Sequence, residues 1–268
     1  MQTETPGSYK LPNGTTFRHV LSNHPPGMLS ALHCHNNFEL IYVISGTAAH
    51  VVEGRKYILK SGDLALVRPS TYHYLQLLTN EPYERYNLLF DPVLHGVENA
   101  LELPEAMEVV SLRNNPIAAD LFQKLDHYHA HLETGDFETL FLLMLRELFV
   151  NLKVSAETEQ QKETILSPIL TSALEYINAN LFSISGVDEV AQALFISPSY
   201  LFHLFRTSLH RTPKKYITDK RLLAAQRRIR RGQKPTAVYR ECGFREYTSF
   251  YRSYCSFFGH PPSRDSGE

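Results

Sequence analysis

A pattern that occurs twice, forty-nine residues apart, constrains this chain more than any other feature. Residues 187–217 read VDEVAQALFISPSYLFHLFRTSLHRTPKKYI. Val187, Val190, Ala191 and Leu194 form a short apolar-periodic segment, and a tight connection follows at Phe195 and Ile196. Ser197 then stands as an N-cap with Pro198 at the first helical position, a strong helix start. The helix after it sets Leu201, Leu204 and Phe205 on one face and Ser199, Phe202, His203 and Arg206 on the other. This is a helix-turn-helix, and its second helix is free to enter a DNA major groove. GFREYTSFYRSYCSFFGHPP repeats it, with Phe250, Tyr254 and Pro262 standing where Leu201, Phe205 and Pro213 stood.

Between the copies, TPKKYITDKRLLAAQRRIRRG reads as a helix capped by Thr212, opened by Pro213 and closed at Gly232. Leu222, Ala225 and Ile229 give it an apolar seam, and its length holds two reading heads at a fixed separation. On ISPSYLFHLFR, TPKKYI, RLLAA and CGFREYTSFYRSYCSFFGHPP, the roughly ninety residues 174–264 resemble the DNA-binding domain of AraC/XylS-type transcription regulators. The resemblance implies paired helix-turn-helix motifs, at 187–208 and 235–258, that read adjacent major-groove segments. Three positions depart from it. His210 takes a turn position usually given to Gly and has to adopt a left-handed conformation. Tyr239 replaces a small Ala and Pro235 an Ile, and a Tyr between closely packed helices is expected to push them apart or re-angle them.

The net charge of −1 conceals an asymmetry. Residues 165–268 hold 15 Lys/Arg and 8 Asp/Glu, while the rest of the chain holds 12 and 20. Beside two recognition helices, such a basic stretch reads as phosphate contact. Ser199, Phe202, His203 and Arg206 are the candidate DNA contacts of the first head, and Arg245, Thr248, Tyr251 and Arg252 those of the second. Arg grips guanine bidentately, His donates to a base or phosphate, and Phe packs on a thymine methyl. Lys214, Lys215, Arg227 and Arg228 suit phosphates.

The first 112 residues have a different texture. A polar start to about Asn13 reads as loosely held. From Phe17 to Phe90, β-like runs (MLSALH, FELIYVIS, AAHVV, KYIL, DLALV, HYLQLL, RYNLLF) alternate with Gly46, Gly54, Gly62 and Pro69. Many short strands at this spacing argue for a sandwich or barrel. Gly27, His33, His35, Glu39 and Gly46 keep the spacing of the first cupin motif, and Gly62, Asp63, Pro69 and His73 resemble the second. The resemblance implies a jelly-roll barrel with a central cavity. His33 and His35 flank Cys34, so on a strand both imidazoles share a side. With Glu39 and His73 they form a three-His, one-Glu set. That set suits either a divalent metal or the polar lining of an effector pocket. Cys34 would point away, and Tyr42 and Tyr72 are either pocket walls or core.

From Pro116 the period becomes helical. His127, His129 and His131 spread around the first helix and read as solvated. The second helix carries more apolar residues (Leu140, Phe141, Leu143, Met144, Leu148) than one barrel face would cover. The family resemblance assigns dimerisation to helices in this place. Residues 155–164 are polar and read as a linker, and the helix after them carries Ile169, Ala173, Leu174 and Ile177.

The expected architecture is α+β in two domains. Residues 1–112 are a cupin-like jelly-roll barrel that senses an effector, 113–154 a helical dimerisation segment, 155–164 the linker and 165–268 an all-α DNA-binding domain. Three unpaired cysteines and the lack of a signal-peptide core or membrane-length apolar run favour the cytoplasm. The reading is a transcription regulator, not an enzyme, with no firm cofactor beyond the divalent-metal option. Its expected partners are double-stranded operator DNA, a small-molecule effector such as a sugar, a second copy of the chain and, for an activator, RNA polymerase, with no membrane. The competing reading is a metal-dependent cupin isomerase or dioxygenase built on His33, His35, Glu39 and His73, which leaves the C-terminal domain unexplained.

Overall fold

A computed structural model describes residues 2–12, 14–91, 103, 108–155 and 164–266. The chain divides into two compact units, Met1–Thr164 and Ile165–Glu268. Residues 156–163, nearly all of the expected linker, lie outside the described residues.

The first unit contains strands β1 (Gln2–Lys10), β2 (Thr16–Asn23), β3 (Gly27–Met28), β4 (Phe38–Ser45), β5 (Thr47–Val52), β6 (Arg55–Lys60), β7 (Asp63–Val67), β8 (His73–Leu77), β9 (Tyr83–Phe90) and β10 (Val109–Ser111). One antiparallel sheet runs β1-β2-β9-β4-β7-β10, and the other runs β6-β5-β8-β3 within this unit. The chain passes from one sheet to the other at β2–β3, β3–β4, β4–β5, β6–β7, β7–β8 and β8–β9, as in a jelly roll. β4 shows why its sequence is an unbroken apolar run, because both of its faces are buried. Phe38, Leu40 and Tyr42 join a core with the helices that follow, while Ile41 and Val43 join residues of the opposite sheet. The β4–β5 turn needs Gly46 (φ +83°), since a Cβ there would meet the Pro82 carbonyl oxygen at 2.5 Å.

Two expectations for this region are corrected. The polar N-terminus is not loose. β1 pairs antiparallel with β2 from Gln2↔Asn23 to Lys10↔Thr16, a sheet edge where one partner suffices and polar side chains face water. MLSALH is not a full strand, because only Gly27 and Met28 pair, with β8. The rest is irregular, held by an isolated bridge between His33 and His73.

Helices α1 (Pro116–His131) and α2 (Thr134–Ser155) cover the first sheet. Asn115 caps α1 by accepting from the Ala118 amide at 3.0 Å. Tyr42 stacks on Phe122 of α1 at 4.5 Å, so it belongs to this layer and is no wall of the inter-sheet space. Phe141, Met144, Leu145 and Leu148 are also buried here, so among the described side chains the apolar excess of α2 shrinks to exposed Leu143 and Val150, one heptad apart. Of the three histidines, His127 and His131 are exposed, while His129 packs edge-on against Tyr9 at 3.8 Å.

In the second unit α3 (Pro168–Ala179) is followed by α4 (Val187–Ala193), α5 (Pro198–Leu209), α6 (Pro213–Arg230), α7 (Pro235–Glu241) and α8 (Tyr247–Phe258). The buried face of α3 is Leu170, Ala173, Leu174 and Ile177, with Ile169 turned out at 39% exposure. α6 is more than an amphipathic spacer. Tyr216, Ile217, Leu222, Leu223, Ala225 and Ile229 bury it on several sides, making it the axis on which both helix pairs pack.

Candidate nucleic-acid interface and histidine–glutamate cluster

Each recognition helix buries one face and exposes the other. In α5 the Ser197 hydroxyl accepts from the Tyr200 amide at 3.1 Å, and Leu201 and Phe205 are fully buried. That leaves Ser199, Phe202, His203 and Arg206 on the exposed side. In α8, Phe250 and Tyr254 are buried, and Thr248, Tyr251 and Arg252 are exposed at the positions matching Ser199, Phe202 and His203. Arg245 is exposed in the turn before α8.

His210 adopts the left-handed conformation its position demands (φ 49°), as Gly259 does forty-nine residues later (φ 75°). Tyr239 is packed inside the second head. It lies 8% exposed beside Tyr247 and Phe250 in one cluster, with its hydroxyl accepting from Arg240 Nε at 2.7 Å. The site has room for an aromatic ring because that ring supplies the core of the second head.

The basic stretch is only partly available to phosphates. Arg221 donates to the carbonyls of Leu181, Ile184 and Gly243 at 2.6–2.9 Å, and Lys220 is buried over Tyr216. Lys215 pairs with buried Asp219 at 2.7 Å, and Arg228 with Glu241 at 2.5 Å. Lys214 and Arg227 are exposed. Ser199, Phe202 and Lys214 share a hollow with Val187, Pro198, Thr212 and Pro213. The first turns of α5 and α6 therefore meet there, and their amide ends favour an anion. Helix starts at Pro198 and Pro213 were legible in the sequence, but their convergence was not.

In the first unit the structure does bring His33, His35, Glu39 and His73 together, with their nearest donor atoms within 4.8 Å of one another. The route differs from the expected one, since His33 and His35 sit in the irregular segment and not on a strand. Each ring is oriented by a backbone carbonyl: His33 Nδ1 by Ala31 at 2.7 Å, His35 Nδ1 by Asn37 at 3.0 Å and His73 Nδ1 by Thr71 at 2.9 Å. A ring that donates from Nδ1 presents Nε2 inward as an acceptor unless it is doubly protonated. Nε2 of His35 and of His73 nevertheless both lie 2.9 Å from the same Glu39 oxygen. Acceptors so arranged call for a proton or a cation between them. Burial works to raise the Glu39 pKa, but the hydrogen bonds from His35 and His73 hold it well below the usual carboxylate range. Burial, reinforced by His73, lowers that of His33. Imidazoles oriented through Nδ1, with one ionised carboxylate, fit a divalent cation.

Sequence reading missed His50, hidden in the apolar run AAHVV. It is fully buried, its ring centre is 6.0 Å from that of His73, and neither nitrogen has a hydrogen-bond partner. Burial, then the charge of His73, pushes its pKa down to about 3. A histidine inside an otherwise apolar strand was the available signal.

A family profile described as an AraC-like ligand binding domain matches residues 19–159, and one described as a helix-turn-helix domain matches 190–266. Over 90 residues the chain is 32% identical to the probable transcriptional regulator LumQ of Photobacterium leiognathi, covering 33% of this chain and 36% of that protein. That match thus spans about a third of the relative's length. Longer matches reach the transcriptional activator RhaS of Klebsiella pneumoniae, at 23% identity over 81% of each chain. The raffinose operon transcriptional regulatory protein RafR of Pediococcus pentosaceus is 22% identical over 77% of this chain and 76% of its own.

Proposed function

The chain belongs to the AraC-type regulators with an AraC-like ligand binding domain, and from that premise we propose that it controls transcription by binding operator DNA under the command of a small molecule. The observation that carries the reading is the repeat itself, in which both recognition helices expose matching positions: Ser199 and Thr248, Phe202 and Tyr251, His203 and Arg252. These residues, with Arg206 and Arg245, contact the bases, and Lys214 contacts phosphate. The first unit senses a sugar or related hydroxylated metabolite at His33, His35, Glu39 and His73, a reading in keeping with the raffinose-operon relative. The same four residues would hold a divalent cation, which would supply a Lewis-acidic anchor for an oxygen of the effector.

The protein works without catalysis, in the cytoplasm, as a homodimer joined through the face of α2 that exposes Leu143 and Val150. As an activator it meets RNA polymerase beside the promoter. Among the described residues no helix is long and apolar enough to cross a membrane.

Genome-wide footprinting should yield two-part sites beside a catabolic or transport operon. Arg206→Ala and Arg252→Ala should each weaken operator binding by about 1–3 kcal/mol, or reduce the salt slope by about one if the contact is to phosphate. Unchanged affinity and salt dependence in both variants would overturn the contact assignment. Sedimentation of Leu143→Glu in the full chain tests the dimer, and an unchanged association state would count against that face.

A further inference from the structure

The inter-sheet space of the first unit contains more than the histidine–glutamate cluster. Arg85 on β9 lies across the ladder from Val20 and Val43, and Asn87 lies across from Ile41. His50 on β5 lies across from Tyr57 and Leu75. Ile41, Val43, Tyr57, Leu75 and Tyr83 belong to the one cluster that both sheets share, so Arg85, Asn87 and His50 enter the same interior.

The hydrogen bonding there is incomplete. The Arg85 guanidinium donates from Nη1 to the Ser22 hydroxyl at 3.2 Å and rests 5.3 Å from the centre of the Tyr83 ring. Its Nε has no partner, and among the described residues no carboxylate lies within ion-pair reach of it. Tyr83 Oη, Asn87 Oδ1 and both nitrogens of His50 are likewise buried without a hydrogen-bond partner. Burial lowers the pKa of Arg85 and raises that of Tyr83, the expected strain of polar groups removed from water. Buried polar groups are ordinarily bonded, and a buried cation ordinarily meets an anion.

We propose that this interior binds a small hydroxylated carboxylate, whose carboxyl group pairs with Arg85 and whose hydroxyl groups bond Asn87, Tyr83 and His50. The proposal rests on the effector-sensing reading of the first unit and narrows it from a sugar to an acid. A planar fork with Nε free matches a carboxylate in two parallel hydrogen bonds. One guanidinium among valine, isoleucine and leucine walls neutralises a single negative charge, and a phosphate dianion would keep an unpaired charge in an apolar interior. Glu39 acts on the guanidinium through space without an ion pair between them, so a neutral sugar leaves Arg85 with no bonded anion. Asn87 Oδ1 accepts only, so its partner must donate, as a ligand hydroxyl does.

Thermal unfolding and calorimetric titration of the full chain with matched acid and neutral compounds test the proposal. The pairs are galacturonate with galactose, gluconate with glucose, and lactate with lactamide. At least one acid should raise the melting temperature while its neutral partner at equal concentration does not. Arg85→Met should weaken binding of that acid at least tenfold, yet melt in buffer only slightly below the parent, because the guanidinium loses one hydrogen bond to Ser22 and no ion pair. Tyr83→Phe, which keeps the charge, should weaken binding a few-fold and keeps the idea testable if Arg85→Met fails to fold. An acid shift that survives Arg85→Met overturns the proposal. A neutral sugar that binds the parent and Arg85→Met equally, and is lost in Glu39→Gln, overturns it while the effector reading stands. Silence of every compound counts against both.

Discussion

The two units treat buried polar groups in opposite ways. In the C-terminal unit the described polar groups of the interior, Asp219 Oδ1 apart, have hydrogen-bond partners in the protein. Arg221 ties three carbonyls from separate segments. Asp265 accepts from Tyr254 at 2.6 Å and from Gln226 and Arg230 at 3.0 Å, which pins the chain end to α6 and α8. Asp219 Oδ1 accepts no well-aligned hydrogen bond, yet it lies 2.7 Å from the Lys215 ammonium. In the N-terminal unit the corresponding groups, His50, Tyr83, Arg85 and Asn87, have atoms with no partner in the protein. A reading head must hold its side chains still against DNA, so its interior is complete by itself. A sensor needs an interior whose stability depends on what enters it, because a ligand shifts an equilibrium only by its differential interaction with the two states.

The largest expected effect is at Arg221. Arg221→Met leaves three carbonyls without a donor and should cost about 2–5 kcal/mol in denaturant unfolding of the C-terminal unit. A loss below about 1 kcal/mol would erase the contrast with Arg85, whose Nε has no partner.

The sensor's weakness should show next in its pH dependence. Folded His50 stays neutral to about pH 3, whereas in the unfolded chain it titrates at its usual 6.5. Between these values the unfolded state binds the extra proton, so stability falls as pH drops below 6.5, by up to about 1.4 kcal/mol per unit. The lowered pKa values of His33 and Glu39 act in the same direction. His50→Leu should flatten the curve and raise the melting temperature more at pH 5 than at pH 8. Parallel melting curves across that range would remove His50 from the argument. In the other unit Asp265 is held below its usual 3.8 by Tyr254, Gln226 and Arg230 against the opposing effect of burial, so that contribution is lost only in stronger acid.

The smallest effects separate the two heads. Ser197→Ala removes a side-chain cap and should cost about 1 kcal/mol, while Glu246→Ala should cost almost nothing because Glu246 makes no cap hydrogen bond. At the helix ends the order reverses. His210→Gly should stabilise by up to about 1 kcal/mol by relieving a left-handed non-glycine residue. Gly259→Ala, with open space around the new methyl, should cost a similar amount for backbone reasons alone. Equal effects at matching positions would show that the heads are mechanically equivalent.

The heads were legible because their determinants are local. Caps at Ser197 and Thr212, prolines at helix starts and apolar spacing each act within one or two turns, so short stretches carry them whole. The gathering of His33, His35, Glu39 and His73 was legible through motif spacing, but the means was not, since the first two sit in an irregular segment fixed by the bridge to His73. The edge pairing of β1 escaped sequence reading because a polar edge strand draws its order from a neighbour distant in the chain.

The sequence alone determined that two helix-turn-helix motifs share the C-terminal half, that a β-rich unit precedes them, and which helical faces stay exposed. Only the tertiary structure decided that Tyr239 fills a core, that most of the described apolar surface of α2 is covered within its own unit, and that Arg85 enters the sensor's interior with no ion pair among the described residues. Periodicity tells which side of an element a residue takes, whereas pairing and volume depend on the elements that close over that side. Those closures are contacts between residues far apart in the chain, and no local pattern records them.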